Sequence, residues 1–310
     1  MVKVSRQKIV NASRHRPHTL LDYGEEILHK EATRLNEENN VLHAFQDLSE
    51  ASITQAIEES LAAFQISLAR LPGAEVYDQP NLLWVATGVP FDFYNGVFRS
   101  TLDPSHVDAQ IDEMKEEFRH RRLPMRWQVG PSSQPLDLGQ RLLARGFVHK
   151  EDEPAMALDL CTMNEQFLLP PELDIRLVED TSTLNDWIAV WVSDALDAIP
   201  LIQHVHIQLG LGPHLPWRYY LGTVEGKPMA TSLLFLGAGV AALHAVATLP
   251  EARFKGFGTA MALAALREAR SLGYQLAILT ASPSGVRIYR RIGFREYGTI
   301  SRYGWRPECC

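Results

Sequence analysis

Val246-Ala-Thr-Leu-Pro-Glu-Ala-Arg-Phe-Lys-Gly-Phe-Gly258 runs directly into Thr259-Ala-Met-Ala-Leu-Ala-Ala-Leu-Arg267. An apolar, β-branched run from Val240 to Thr248 predicts a strand that stops at Pro250. A short loop then supplies Arg253, Lys255, Gly256 and Gly258, and an alanine- and leucine-rich helix begins. Strand, glycine loop and helix together present unpaired backbone N–H groups and a helix dipole to an anion. Gly256 and Gly258 allow close backbone approach, and the two cations add charge, so the stretch reads as a diphosphate cradle.

Outward from this stretch, the chain divides. The 310 residues are enough for two domains. Residues 1–40 read as a polar arm, basic at first and then helical in pattern. Residues 41–162 read as one domain and 163–172, with Pro170 and Pro171, as a linker. Residues 173–310 read as a second domain. In the first, helices are expected over Ser52–Ala69, Val107–Arg121 and Leu136–Ala144, with strands over Leu82–Thr87, Phe91–Phe98, Met125–Val129 and Ala155–Leu160. The second shows a hairpin around Glu225-Gly226, the strand Val240–Thr248, the helix to Ser271, a strand over Gln275–Thr280, a helix over Pro283–Arg291 and closing strands to Trp305. Gly146-Phe147 and Gly293-Phe294 each close a helix, and the element order before them matches. The fold class is α/β with a mixed sheet, and the fold is duplicated.

Composition narrows the function. A formal net charge of -7 argues against nucleic acid as a partner and fits a cationic or amine substrate. No apolar run is long enough to span a bilayer, and no hydrophobic leader opens the chain, so a cytoplasmic protein without a membrane partner is expected. Cys161, Cys309 and Cys310 form neither a disulfide framework nor a metal-ligand pattern, and no metal is expected. The strand lacks a G-x-G-x-x-G with a following acid, which removes the dinucleotide-binding reading.

A second stretch identifies the anion. Arg253-Phe-Lys-Gly-Phe-Gly258 resembles motif A of the GNAT acetyltransferase superfamily, and Ser282-Pro-Ser-Gly-Val-Arg-Ile-Tyr289-Arg-Arg-Ile-Gly-Phe294 resembles its motif B, which ends Tyr-x-x-x-Gly-Phe. The resemblance covers about residues 174–305, and the N-terminal half resembles a degenerate copy, so the whole resembles a tandem GNAT protein. It implies acetyl-CoA as co-substrate and a small-molecule primary amine as acceptor, joined by direct attack in a ternary complex in a monomer or homodimer. Arg253, Phe254, Lys255, Gly256, Phe257 and Gly258 would bind the pyrophosphate, with Thr259 at the helix start, while Val246, Ala247 and Thr248 would pair with the pantetheine arm. Ser282 stands where the family carries Asn.

The resemblance also assigns Tyr289 as the acid that protonates the leaving thiolate; a phenol with a pKa of about 10 keeps its proton at neutral pH. The strand carboxylate often used as base is replaced by Ala242, and His244, two residues on, is the candidate base. His204 and His206 are alternatives, though as an i, i+2 pair they share no helix face. A plain packing role is open to each of these aromatic groups. In the N-terminal copy, Thr101-Leu-Asp-Pro-Ser-His-Val-Asp108 lacks glycines, Asp103 and Asp108 would repel a pyrophosphate, and Leu142 stands in the place of Tyr289. Phe91, Phe93, Tyr94 and Asn95 could wall the acceptor site or fill the inter-domain core; the phenylalanines read as core, with Asn95 open. A transferase, decarboxylase or hydrolase using another acyl-CoA, and a non-catalytic acyl-CoA sensor, are the competing functions.

Overall fold

The first described helix shows how local chemistry builds the molecule. Ser49 caps α1 (Glu50–Ser67) by accepting a hydrogen bond from the Ser52 N–H, and Ile53, Ile57, Leu61 and Phe64 fall on one buried stripe. That stripe packs across β3, β5, β8, β9 and β11, where β3 is Asn95–Ser100, β5 Val148–Asp159, β8 Lys227–Gly237, β9 Val240–Thr248 and β11 Arg295–Trp305. A helix from the N-terminal half therefore seals strands of both halves. The structure, a computed structural model, describes residues 47–307; the arm expected over 1–40, Cys309 and Cys310 lie outside the described residues.

The remaining strands are β1 (Glu75–Gln79), β2 (Leu82–Ala86), β4 (Met125–Val129), β6 (Asp174–Leu177), β7 (Trp217–Val224) and β10 (Leu276–Thr280). All eleven form one sheet in the order β1-β2-β3-β4-β11-β5-β10-β9-β8-β7-β6. The two halves exchange their last strands. β5 pairs antiparallel with β10 from Asp159↔Leu276 to Ala155↔Thr280. β11 pairs antiparallel with β4 from Met125↔Trp305 to Val129↔Ser301, and β5 and β11 pair with each other. Each half also holds one short parallel pair, β3 with β4 and β9 with β10. The break at 163–172 divides the chain but not the sheet.

Helices cover both faces: α2 (Val107–Arg121), α3 (Leu138–Ala144), α4 (Thr181–Trp191), α5 (Ile199–Leu209), α6 (Phe257–Ser271) and α7 (Val286–Ile292). One core joins α1 to Trp187, Ile188, Phe235 and Ile278; another buries Met261, Leu263 and Leu266 of α6 against Leu234 and Leu279. A third, around Phe118, Trp127 and Leu142, belongs to the N-terminal half.

Several boundaries differ from the sequence expectation. β1, Glu-Val-Tyr-Asp-Gln, has a mostly exposed pattern and exists through its pairing with β2. β5 begins at Val148, not Ala155, because His149 to Glu153 find partners on β11. The closing segment is one long strand, β11, bulged between Glu296 and Gly298. Phe91–Phe98 splits into a short helical turn, Asp92–Tyr94, and β3. Asn95 is buried and structural: its carbonyl accepts from the Thr87 N–H at 2.9 Å, and its amide donates to Val89 O at 2.6 Å and Phe91 O at 2.9 Å.

Candidate active site

The cradle is built by strand divergence and a strained loop. β9 and β10 pair only at Ala241↔Ala277 and Ala242↔Ile278, and beyond them the strands part. On its other side β9 carries a bulge opposite Ser232, with Ala245 at φ 49. Phe254 at φ 63 and Gly256 at φ 86 then turn the loop through the left-handed region into α6. Among the described residues, the backbone N–H groups from Phe254 to Thr259 donate to no protein acceptor; the first helical bond is Ala260 N–H to Gly256 O. Six consecutive donors at the head of a helix make an anion site of the kind expected from the sequence. Arg253 and Lys255 are exposed beside it, and the Arg253 Nε donates to Thr248 O at 3.2 Å.

The corresponding N-terminal loop is closed. Asp103 accepts from the Ser105 N–H at 2.8 Å and, through its carbonyl, from His106 and Val107. Gln134 pairs in parallel with Thr101, filling the gap beside β3. No comparable run of free donors is left there.

Beyond the parting of β9 and β10 lies a cavity of about 400 Å³ whose lining includes Val246, Ala247, Ser282, Tyr289 and His244. The cradle's β9 edge and both candidate catalytic residues thus meet in one space. Tyr289 is 9% exposed, stacks edge-on against Phe294, and its hydroxyl has no hydrogen-bond partner among the described residues. Burial, reinforced by the Glu153 carboxylate, raises the phenol pKa, so it stays protonated. Gly285 is required by this ring: a Cβ there would lie 2.8 Å from Tyr289 Cε2. Ser282 is exposed, and its Oγ lies 3.1 Å from that of Ser284.

His244 packs against Phe64 at 4.7 Å, and its Nε2 is buried without a partner. Burial lowers its pKa to about 4, aided by the Arg302 charge, so the ring is neutral at pH 7. The two α5 histidines diverge. His204 is exposed beside Gln208, whereas His206 is 4% exposed and bridges two hydroxyls, with Nε2 3.2 Å from Tyr94 Oη and Nδ1 3.0 Å from Tyr219 Oη. Its pKa also falls to about 4 through burial.

Four charged wall residues come from strands brought together by the exchange and were not singled out in the sequence: Arg126 on β4, Arg302 on β11, and Glu151 and Glu153 on β5. Arg302 pairs with Glu153 and, at 3.4 Å, with Glu151. The available signal was the alternation of Glu151 and Glu153, which puts both on one face once the segment is a strand. Among the described residues, no cluster of three His, Cys, Asp or Glu is arranged to hold a metal, and no helix is long and apolar enough to cross a membrane.

The sequence profile of the acetyltransferase (GNAT) family matches residues 190–294. These residues are a GNAT acetyltransferase domain. The match holds both the α6 cradle and Tyr289. A GCN5-related N-acetyltransferase from Kribbella flavida superposes with a TM-score of 0.64 at 20% identity, covering 81% of this chain and 96% of its own. A tandem GNAT protein from the clavulanic acid biosynthesis pathway superposes with a TM-score of 0.54 at 12% identity, covering 86% and 98%. A GCN5-related N-acetyltransferase from Sphaerobacter thermophilus gives 0.54 at 16% identity, covering 76% and 77%. At such identities the likeness is one of fold, and the fold is that of a tandem GNAT protein. A sequence comparison with curated proteins gave no match.

Proposed function

We propose that the chain transfers an acetyl group from acetyl-CoA to the primary amine of a small molecule by direct attack in a ternary complex. The observation that supports this most is the run of six unpartnered N–H donors from Phe254 to Thr259, beside the same β9 edge that lines the Tyr289 cavity. The donors suit a pyrophosphate, and the free edge of Val246, Ala247 and Thr248 suits an amide-bearing arm. Bound acetyl-CoA supplies an activated thioester. Tyr289 holds a proton for the departing sulfur, its pKa kept high by burial. His244 is the assigned proton acceptor, through the unpartnered Nε2. With a pKa of about 4 it is a neutral imidazole at pH 7, whose free Nε2 can accept a hydrogen bond from the amine. The closed N-terminal loop offers no second cradle among the described residues.

Titrating the full chain with acetyl-CoA should raise its melting temperature, and thiol release should depend on added amine. Thiol release at the same rate without amine would replace the transferase reading with a hydrolase. Binding without release across amines would leave a sensor.

A further inference from the structure

Arg126 occupies an uncommon position for a guanidinium. It sits on β4, in the half without a cradle, yet its side chain lines the Tyr289 cavity and is only 17% exposed. Among the described residues it donates no hydrogen bond. Its nearest carboxylate, Asp92, stands at 4.0 Å, the outer limit of an ion pair, and its Nε is buried without a partner. The other cavity cation is committed, since Arg302 is held by Glu151 and Glu153. Phe93 lies under the Arg126 guanidinium, 5.1 Å from Cζ to the ring centroid. Burial lowers the Arg126 pKa to about 10, which still leaves it charged at neutral pH. A buried, oriented, charged fork without an acceptor is incomplete.

Resting on the acetyl-transfer reading above, we propose that Arg126 binds a carboxylate of the acceptor, and that the acceptor is an aromatic amino acid or a similar amine bearing an aromatic body and a carboxylate. Glu151 and Glu153 balance Arg126 and Arg302, so the cavity lining carries no net formal charge, which suits a zwitterion whose carboxylate Arg126 takes. Phe64, Phe93, Trp191 and Trp217 supply the apolar walls. Tyr94 and Tyr219 add a polar rim: a neutral His206 can donate to one hydroxyl and accept from the other, leaving one O–H free. The degenerate half would thus read the acceptor while the other half holds the cofactor.

Binding without chemistry is the first test. In calorimetric titrations of the full chain, 3-phenylpropanoate should bind at least about 30-fold more tightly than the uncharged 3-phenylpropanamide. Arg126→Gln should erase that difference, and Arg126→Lys, which keeps charge without the fork, should restore part of it. Equal affinities, or no binding of either compound by the wild-type chain, would overturn the carboxylate site. Turnover is the second readout, comparing phenylalanine with 2-phenylethylamine at fixed acetyl-CoA. Equal kcat/KM for the two overturns the proposal and leaves acetyl transfer standing. Selective carboxylate binding with no thiol release from either amine removes acetyl transfer and leaves the Arg126 site standing.

Discussion

Tyr289 is placed by two glycines and by its edge-on contact with Phe294 rather than by a hydrogen bond from its hydroxyl. Gly285 leaves room for the ring, Gly293 at φ 119 ends α7, and the hydroxyl meets no protein partner. Tyr289→Phe should lower kcat about 100-fold with little change in the affinity for acetyl-CoA, as steady-state kinetics and titration can check; an unchanged kcat would take the acid role from it. His206 and His244 bear on stability. Both have a folded-state pKa near 4 against an ordinary 6.5, so between those values the unfolded chain binds more protons. Stability is therefore intact above pH 6.5 and falls as pH drops towards 4, by up to about 3 kcal/mol per histidine. Melting temperatures from pH 7 to 4.5 should show this slope, and His206→Gln should flatten it by one proton. A flat profile in the wild-type chain would contradict the buried, neutral state of both rings.

At the scale of elements, the head of α6 joins two demands that oppose each other in a mutant. A carboxylate at Gly258 would sit in the first turn, where the helix dipole favours negative charge, and a Cβ there meets Thr248 Oγ1 at an ordinary 3.7 Å. The same charge would face the pyrophosphate. Gly258→Asp should thus keep or raise the melting temperature while weakening acetyl-CoA binding by at least about tenfold. Loss of stability together with affinity would instead mean that the substitution distorts the loop. Much of this element was legible in the sequence, since the loop, the glycines and the α6 stripe are contiguous and their chemistry is local. β1 and the first half of β5 were not, because Glu75–Gln79 and His149–Glu153 carry little apolar pattern and become strands only through a partner's hydrogen bonds.

Across the whole molecule, the exchange of β5 and β11 makes the two halves one cooperative body. Each half's penultimate strand, β4 or β10, has its antiparallel partner only in the other half's last strand. Calorimetry of the full chain should give one unfolding transition. Fragments 1–162 and 163–310, produced separately, should each lack a cooperative transition, and co-expression should recover it. A cooperative melt of either fragment alone would show that the exchanged strand is dispensable. The exchange also forms the cavity, whose wall combines Phe93, Tyr94 and Arg126 from one half with Trp191, His206 and Tyr289 from the other.

The sequence by itself determined the α/β class, the duplicated element order and the glycine loop at 253–259, because each depends on neighbours within a few residues or on a fixed motif spacing. It also singled out Tyr289 and His244 as site candidates. Only the tertiary structure decided that Arg126, Glu153 and Arg302 share a cavity with them. Strand order is a long-range property: β11 enters between β4 and β5 after more than a hundred intervening residues, and no local pattern encodes which strands become neighbours. The loop at 246–258 carries the run of unpartnered donors that suits an anion, while the charged residues of the neighbouring cavity come from strands the exchange brings alongside it.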